Sequence, residues 1–329
     1  MRMPRLRPRR GLRPALRAMV EANPQSVPCP NCAQGEEVDL RTAFDNLSQK
    51  YAQLAEVIAN YMSQAGLERG LRVTNAESMT ERLLRIVGGS STQPGEYPEC
   101  CLVGRRYSAG DHEWFCTGVL VHPRVVLTAG HCQDPDSAIN VVALNALNYK
   151  SLRNAEVRRV QRVVVNPGYP HKMGDDITVL ILRNSADVKP TPIASTADIA
   201  AAQKTMLVGF GNDNILSSKG FGIQRKVEVD ITHVRRAAGD DLNDAEATLG
   251  FESDFEFVAG GAGHDSCNGD SGGPAYITVD GVKKVAGLTS RATEGVTSPC
   301  GEGGIYTRVD TQREFINGVM KAAKINDSV

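Results

Sequence analysis

From residue 98 to the C-terminus the chain is a succession of short apolar runs, each closed by Gly, Pro, Asn or Asp: "CCLVG", "TGVLVH", "RVVLTAG", "VRRVQRVVVN", "ITVLIL", "KTMLVGFG", "IQRKVEVDIT", "GPAYITV" and "VAGLTS". Runs this short, rich in Val, Ile and Thr and bounded by turn formers, suit strands rather than core helices. Their recurrence predicts an all-β fold, a barrel or a sandwich. Only the last stretch departs from the pattern. "QREFINGVMKAAK" carries helical spacing and is expected to close the chain as an amphipathic helix.

The first 85 residues have a different texture. Arg2, Arg5, Arg7, Arg9, Arg10, Arg13 and Arg17 all precede the first acidic residue, Glu21. They read as a disordered basic arm, with a targeting segment or a contact to an acidic surface as the alternative. Leu40, Phe44, Leu47, Tyr51, Leu54, Ile58 and Tyr61 then recur with 4,3 spacing, which predicts an amphipathic heptad helix ending near Gly66. Such a stripe packs on its own chain, self-associates or docks a partner. A domain boundary is placed at Arg85-Ile86, so that residues 1–85 form one segment and residues 86–329 a second.

The 41% hydrophobic content suffices for a large core, and the net charge of -1 gives no support to a nucleic-acid or membrane-surface role. No apolar run of secretory-leader length follows the basic start, and none approaches the ~20 residues of a membrane helix. Eight cysteines, an even number, instead suit disulfides in an oxidising compartment. The cysteines therefore favour a secreted, extracellular or periplasmic location, while the missing leader leaves a cytoplasmic one open.

Three motifs carry chemistry. "VVLTAGHC" ends an apolar strand on His131, "GDDITVLIL" sets Asp175 and Asp176 before another, and "HDSCNGDSGGPAY" holds Ser271 between Gly269 and Gly272-Gly273. Glycines on both sides let the backbone fold tightly around the serine and aim N–H groups at one point. Each residue alone reads as structural: a core histidine, a capping aspartate, a loop serine. Together they supply what nucleophilic catalysis needs, since a neutral serine is a weak nucleophile until a base removes its proton.

From Ile86 onward the chain resembles the chymotrypsin/trypsin family of serine proteases. The matching stretches are "RIVGG", "LTAGHC", "DITVLIL", "GDSGGP" and "GIYTRV", in the family's order. The order His, Asp, Ser separates the chain from subtilisins and α/β-hydrolases. The resemblance implies two packed antiparallel six-stranded β-barrels with the active site in the cleft between them. It makes Ser271 the nucleophile, His131 the general base and then acid, and Asp176 the carboxylate that orients the imidazole. Asp175 is the runner-up for the last role; Asp176 is preferred because it directly precedes Ile-x-x-Leu. The backbone N–H groups of Gly269 and Ser271 would stabilise the oxyanion. No cofactor and no metal is implied.

The same resemblance accounts for an apparent second beginning at "IVGG". Cleavage after Arg85 would create an α-ammonium group on Ile86 that pairs with Asp270, making residues 1–85 a propeptide or regulatory segment and the intact chain a zymogen. Self-activation and a separate activating protease both fit. Asp265 would floor the primary pocket and pair with a substrate Arg or Lys, Ser290 would stand at its entrance, and Gly304 would keep it open. After that serine, family members commonly have Trp-Gly where this chain has Arg291-Ala292. A rim arginine there would repel basic substrates or favour acidic neighbours.

Cys116 with Cys132 and Cys267 with Cys300 match family disulfides, the alternative being reduced buried thiols. Cys29 and Cys32 form half a zinc motif with no matching second half, or one of them bonds Cys100 or Cys101 and keeps the prosegment attached. The expected partners are protein or peptide substrates with Arg or Lys before the scissile bond, an activating protease, and a partner docking on the N-terminal helix. Two alternatives remain: a protease-fold scaffold without turnover, and an intracellular protease controlled by a partner of that helix.

Overall fold

The computed structural model describes residues 89–107, 111–133, 138–212, 221–261, 266–267, 269–296, 302–326 and 329, together with the antiparallel pair β1 (Val27–Pro28) and β2 (Glu37–Val38). The basic arm, the heptad helix, Cys29, Cys32, Arg85, Ile86, Asp265 and Cys300 lie outside the described residues. Two units make up the chain, Met1–Ala76 and Glu77–Val329.

The second unit's strands are β3 (Ser90–Ser91), β4 (Cys100–Arg106), β5 (His112–His122), β6 (Val125–Thr128), β7 (Val141–Leu144), β8 (Glu156–Val165) and β9 (Thr178–Leu182), then β10 (Lys204–Gly209), β11 (Arg225–His233), β12 (Glu256–Ala259), β13 (Pro274–Val279), β14 (Val282–Ala292) and β15 (Gly304–Arg308). The first group closes into a barrel in the order β4-β5-β6-β9-β8-β7. In the second, β10-β13-β14-β15-β12-β11 closes through the β10–β11 pairing, and β3 adds to the free side of β11. Both are six-stranded and antiparallel, and closure leaves no long unpaired edge.

Continuous apolar runs have a physical reason here. On β4, Cys100 and Leu102 enter one buried cluster while Cys101 and Val103 enter another. On β9, Val179 and Ile181 join the first and Leu180 and Leu182 the second. The second cluster fills the first barrel. The first reaches across to Val208, Phe210, Tyr276 and Leu288 of the second barrel, so both faces of these strands are buried and no polar alternation survives. β11 has a solvated face and does alternate: Val227, Val229 and Ile231 are buried while Glu228, Asp230 and Thr232 are exposed.

Every run singled out by composition forms a strand; beyond them stand the two-residue β3 and three strands of four or five residues, β7, β12 and β15. The closing helix is α3 (Arg313–Ala322), which buries Ile316, Val319 and Met320 on one face, against the inter-barrel cluster. Two short helices escaped the sequence pattern, α1 (Thr196–Ala201), opened by a Ser195 and Asp198 capping box, and α2 (Asn243–Leu249), closed by Gly250 at φ 73°.

Candidate active site

β6 ends where a single 3-10 turn, Gly130–Cys132, lifts His131 off the first barrel. Buried Ala129 and the Cys116–Cys132 disulfide pin that turn on either side. Gly130 lets the turn pack tightly, because a Cβ there would lie 3.0 Å from Asp176 Oδ1 and 3.1 Å from the Tyr169 ring. A second 3-10 turn, Met173–Asp175, delivers Asp176 to the start of β9, with its side chain 1% exposed.

The two residues are joined twice. The His131 backbone N–H donates to Asp176 Oδ1 at 2.9 Å, and His131 Nδ1 lies 2.9 Å from Oδ2. An ionised carboxylate only accepts, so Nδ1 carries the proton and Nε2 is left as a base. Burial pushes the Asp176 carboxyl up, but the hydrogen bonds and charge of His131, with a further bond from Ser290, hold it below the ordinary range. Asp175 faces elsewhere, accepting from Gln312 Nε2 at 3.0 Å.

Ser271 reaches the same corner from the second barrel. Its carbonyl accepts the Thr117 N–H at 2.9 Å and lies 3.6 Å from the Cys132 sulfur, one residue from the imidazole. Gly272, at φ 75°, leaves no room for a side chain: a Cβ would come within 2.1 Å of Thr128 Oγ1 and 2.5 Å of the Ala129 nitrogen. Gly269 stands at φ 97°, with its carbonyl bonded to Thr117 Oγ1 at 2.9 Å. Among the described residues, the Ser271 hydroxyl and the N–H groups of Gly269 and Ser271 make no hydrogen bond.

Asp270 is 3% exposed, and its carboxylate takes N–H groups from Gly211 at 2.7 Å and Cys267 at 2.9 Å. A Cβ on Gly209 would come within 2.0 Å of it, which explains the Gly-Phe-Gly of the neighbouring loop. Cys267 is disulfide-bonded, with its partner outside the described residues. Cys100 and Cys101 are free thiols, both wholly buried. That overturns the expected bond from the prosegment to either of them. Among the described residues no cluster of metal-ligating side chains forms.

The sequence profile of the Trypsin family matches residues 86–316. The chain belongs to that family. It is 30% identical over 281 residues to coagulation factor IX of Oryctolagus cuniculus, covering 81% of this chain and 97% of that protein. It is 31% identical over 251 residues to tryptase of Mus musculus, covering 70% and 87%. Among solved structures, the secreted serine protease VesC from Vibrio cholerae superposes with a TM-score of 0.53 at 26% identity. That match covers 70% of this chain and 47% of VesC, so the chain spans about half the length of that protein. The protein is a serine-type endopeptidase of the Trypsin family.

The wall of this trypsin-family cleft shows what the sequence concealed. β14 loses register against β15 between Thr289 and Arg291, a bulge at Ser290. Bulges re-aim side chains, and the Ser290 hydroxyl donates to Asp176 Oδ2 at 2.6 Å. Gly304 begins β15, paired with Ala292. The rim arginine has internal partners. Arg291 forks onto Glu256 at 2.5 and 3.0 Å and onto the Gly250 carbonyl at 2.7 Å. Glu256 opens β12 in a run too short to be read as a strand, so no local signal disclosed this pair. Ser266 lies 3.1 Å from the Tyr306 hydroxyl.

Proposed function

We propose that the chain is the precursor of a protease that cuts after Arg or Lys, is switched on by cleavage after Arg85, and works through His131, Asp176 and Ser271. The observation that carries this reading is the double attachment of His131 to buried Asp176 beside a glycine-bounded serine whose hydroxyl is unspent.

The residues have these roles. Nε2 of His131 takes the Ser271 proton as Oγ attacks the substrate carbonyl, Asp176 holds the imidazole in the required tautomer, and the N–H groups of Gly269 and Ser271 receive the oxyanion. His131 then returns the proton to the leaving amine, and water enters by the same route to release the acyl group. The α-ammonium of Ile86 pairs with Asp270, whose buried carboxylate is the acceptor for such a group and whose loop carries both oxyanion donors. Asp265 selects the cation of Arg or Lys, and Gly304 and Ser290 border its pocket. The Cys116–Cys132 bridge and the description of VesC as secreted favour an oxidising compartment.

Hydrolysis of a peptide amide with Arg before the scissile bond, by intact and by Arg85-clipped protein, tests the reading. Activity confined to the clipped form and absent from Arg85→Gln is expected. Full activity in uncut Arg85→Gln would refute zymogen control, and a preference for apolar residues would refute the role of Asp265.

A further inference from the structure

Arg291 stands in a chain of alternating charge that ends on the catalytic carboxylate. Ser290 has one hydroxyl proton, and it is spent on Asp176 Oδ2. The oxygen left behind receives Arg291 Nη1 at 3.3 Å. A guanidinium only donates, so the Ser290 hydroxyl cannot turn its proton toward Arg291, and Asp176 Oδ2 is the acceptor it uses. The guanidinium is itself immobilised by both oxygens of Glu256, which is fully buried and also takes the Glu252 N–H at 2.8 Å. Gly250, the residue that closes α2, supplies a further acceptor. A residue that merely lined the cleft would need no buried carboxylate behind it.

We propose that Arg291, clamped by Glu256, is a positioning residue that fixes the Ser290 hydroxyl on Asp176 and balances the field in which the His131–Asp176 pair works. This rests on the catalytic roles proposed for His131, Asp176 and Ser271. The charged and titratable groups beside that pair are Asp175, next to Asp176 in the chain, Tyr169 on the same segment, and Arg291 from β14 with Glu256 of β12 behind it. The fields of Arg291 and Asp176 meet at one neighbouring group: the Tyr169 phenol is pushed up by burial and by Asp176, and pulled back by Arg291. With its cation spent internally, Arg291 offers substrates no free charge, so its removal should act on turnover more than on binding.

The test is the pH dependence of fluorophosphonate labelling, with kcat and KM on an Arg peptide amide, in clipped wild type, Arg291→Gln, Glu256→Gln and the double variant. Loss of the cation leaves Glu256 unbalanced and favours a protonated imidazole, so the acid-side midpoint of Arg291→Gln should rise by about half a pH unit. Glu256→Gln should lower it by a similar amount. The double variant, which restores neutrality and is the one least exposed to misfolding, should return the midpoint to the wild-type value. In the double variant kcat should still fall on the order of tenfold at nearly constant KM, because the hydroxyl is no longer held. Folded variants with wild-type kcat and midpoint would overturn the proposal, as would a double variant altered only in KM. Wild type that labels while the variants match it leaves the catalytic reading standing; clipped wild type that does not label removes both.

Discussion

The first barrel delivers its half of the site finished, whereas the second delivers its half with donors unspent. His131 and Asp176 are joined by two bonds with Asp176 almost wholly buried, and the Ser290 hydroxyl of the second barrel's β14 adds a further bond to that pair. The turn from Gly269 to Gly272 is shaped by glycine backbone and by the buried carboxylate of Asp270, while its serine hydroxyl and the N–H groups of Gly269 and Ser271 have no acceptor among the described residues. Side chains hold one half, and the absence of side chains permits the other. A base needs a fixed tautomer before substrate arrives, while an oxyanion site must keep its donors for a charge that exists only in the transition state.

The comparison breaks most sharply on Asp176→Asn. If the first half is a matched pair, turnover should fall by about 10⁴ because the wrong imidazole nitrogen is then protonated, with little change in the thermal midpoint. Steady-state kinetics beside calorimetry separates the two effects, and activity within tenfold of wild type would show that the pairing does not serve catalysis.

The second half is probed by adding a methyl rather than removing a group. Gly209→Ala places a Cβ within 2.0 Å of the Asp270 carboxylate and should cost about 1–3 kcal/mol of stability as well as disordering the Ser271 turn. Denaturant unfolding together with fluorophosphonate labelling would read both, and native stability in that variant would mean that the Asp270 loop yields easily.

The smallest effect lies away from both halves. Asp198 has its carboxyl lowered to about 2 by the hydrogen bond from Lys284 and those from Ser195. A depressed carboxyl contributes stability above its unfolded value of about 4 and loses it as pH falls toward about 2. Lys284→Met should therefore flatten the acid side of the stability curve within that window and leave turnover unchanged; an unaltered acid limb would discount the pair.

Much of this was legible residue by residue. His131 and Asp176 were visible because each ends or begins an apolar run at a turn. Ser271 became visible through its glycine-bounded turn only in conjunction with the other two motifs and their family order. The strands β7, β12 and β15 were hidden by brevity, since four or five residues do not establish a period. The partner of Arg291 was hidden for a different reason: Glu256 lies on another strand, and a charged residue met in sequence is expected at the surface.

The sequence alone determined the all-β class, the order of the candidate catalytic residues, the Cys116–Cys132 pairing through its resemblance, and the glycine positions, because these depend on local backbone freedom and on motifs contained within single segments. The tertiary structure decided which of Asp175 and Asp176 meets the imidazole, where the Ser290 hydroxyl points, that Cys100 and Cys101 are sealed in the core, and that Arg291 is neutralised by Glu256. Each of those depends on the direction of a side chain relative to an element distant in sequence, and direction is set by barrel closure, register and bulges that no single segment encodes.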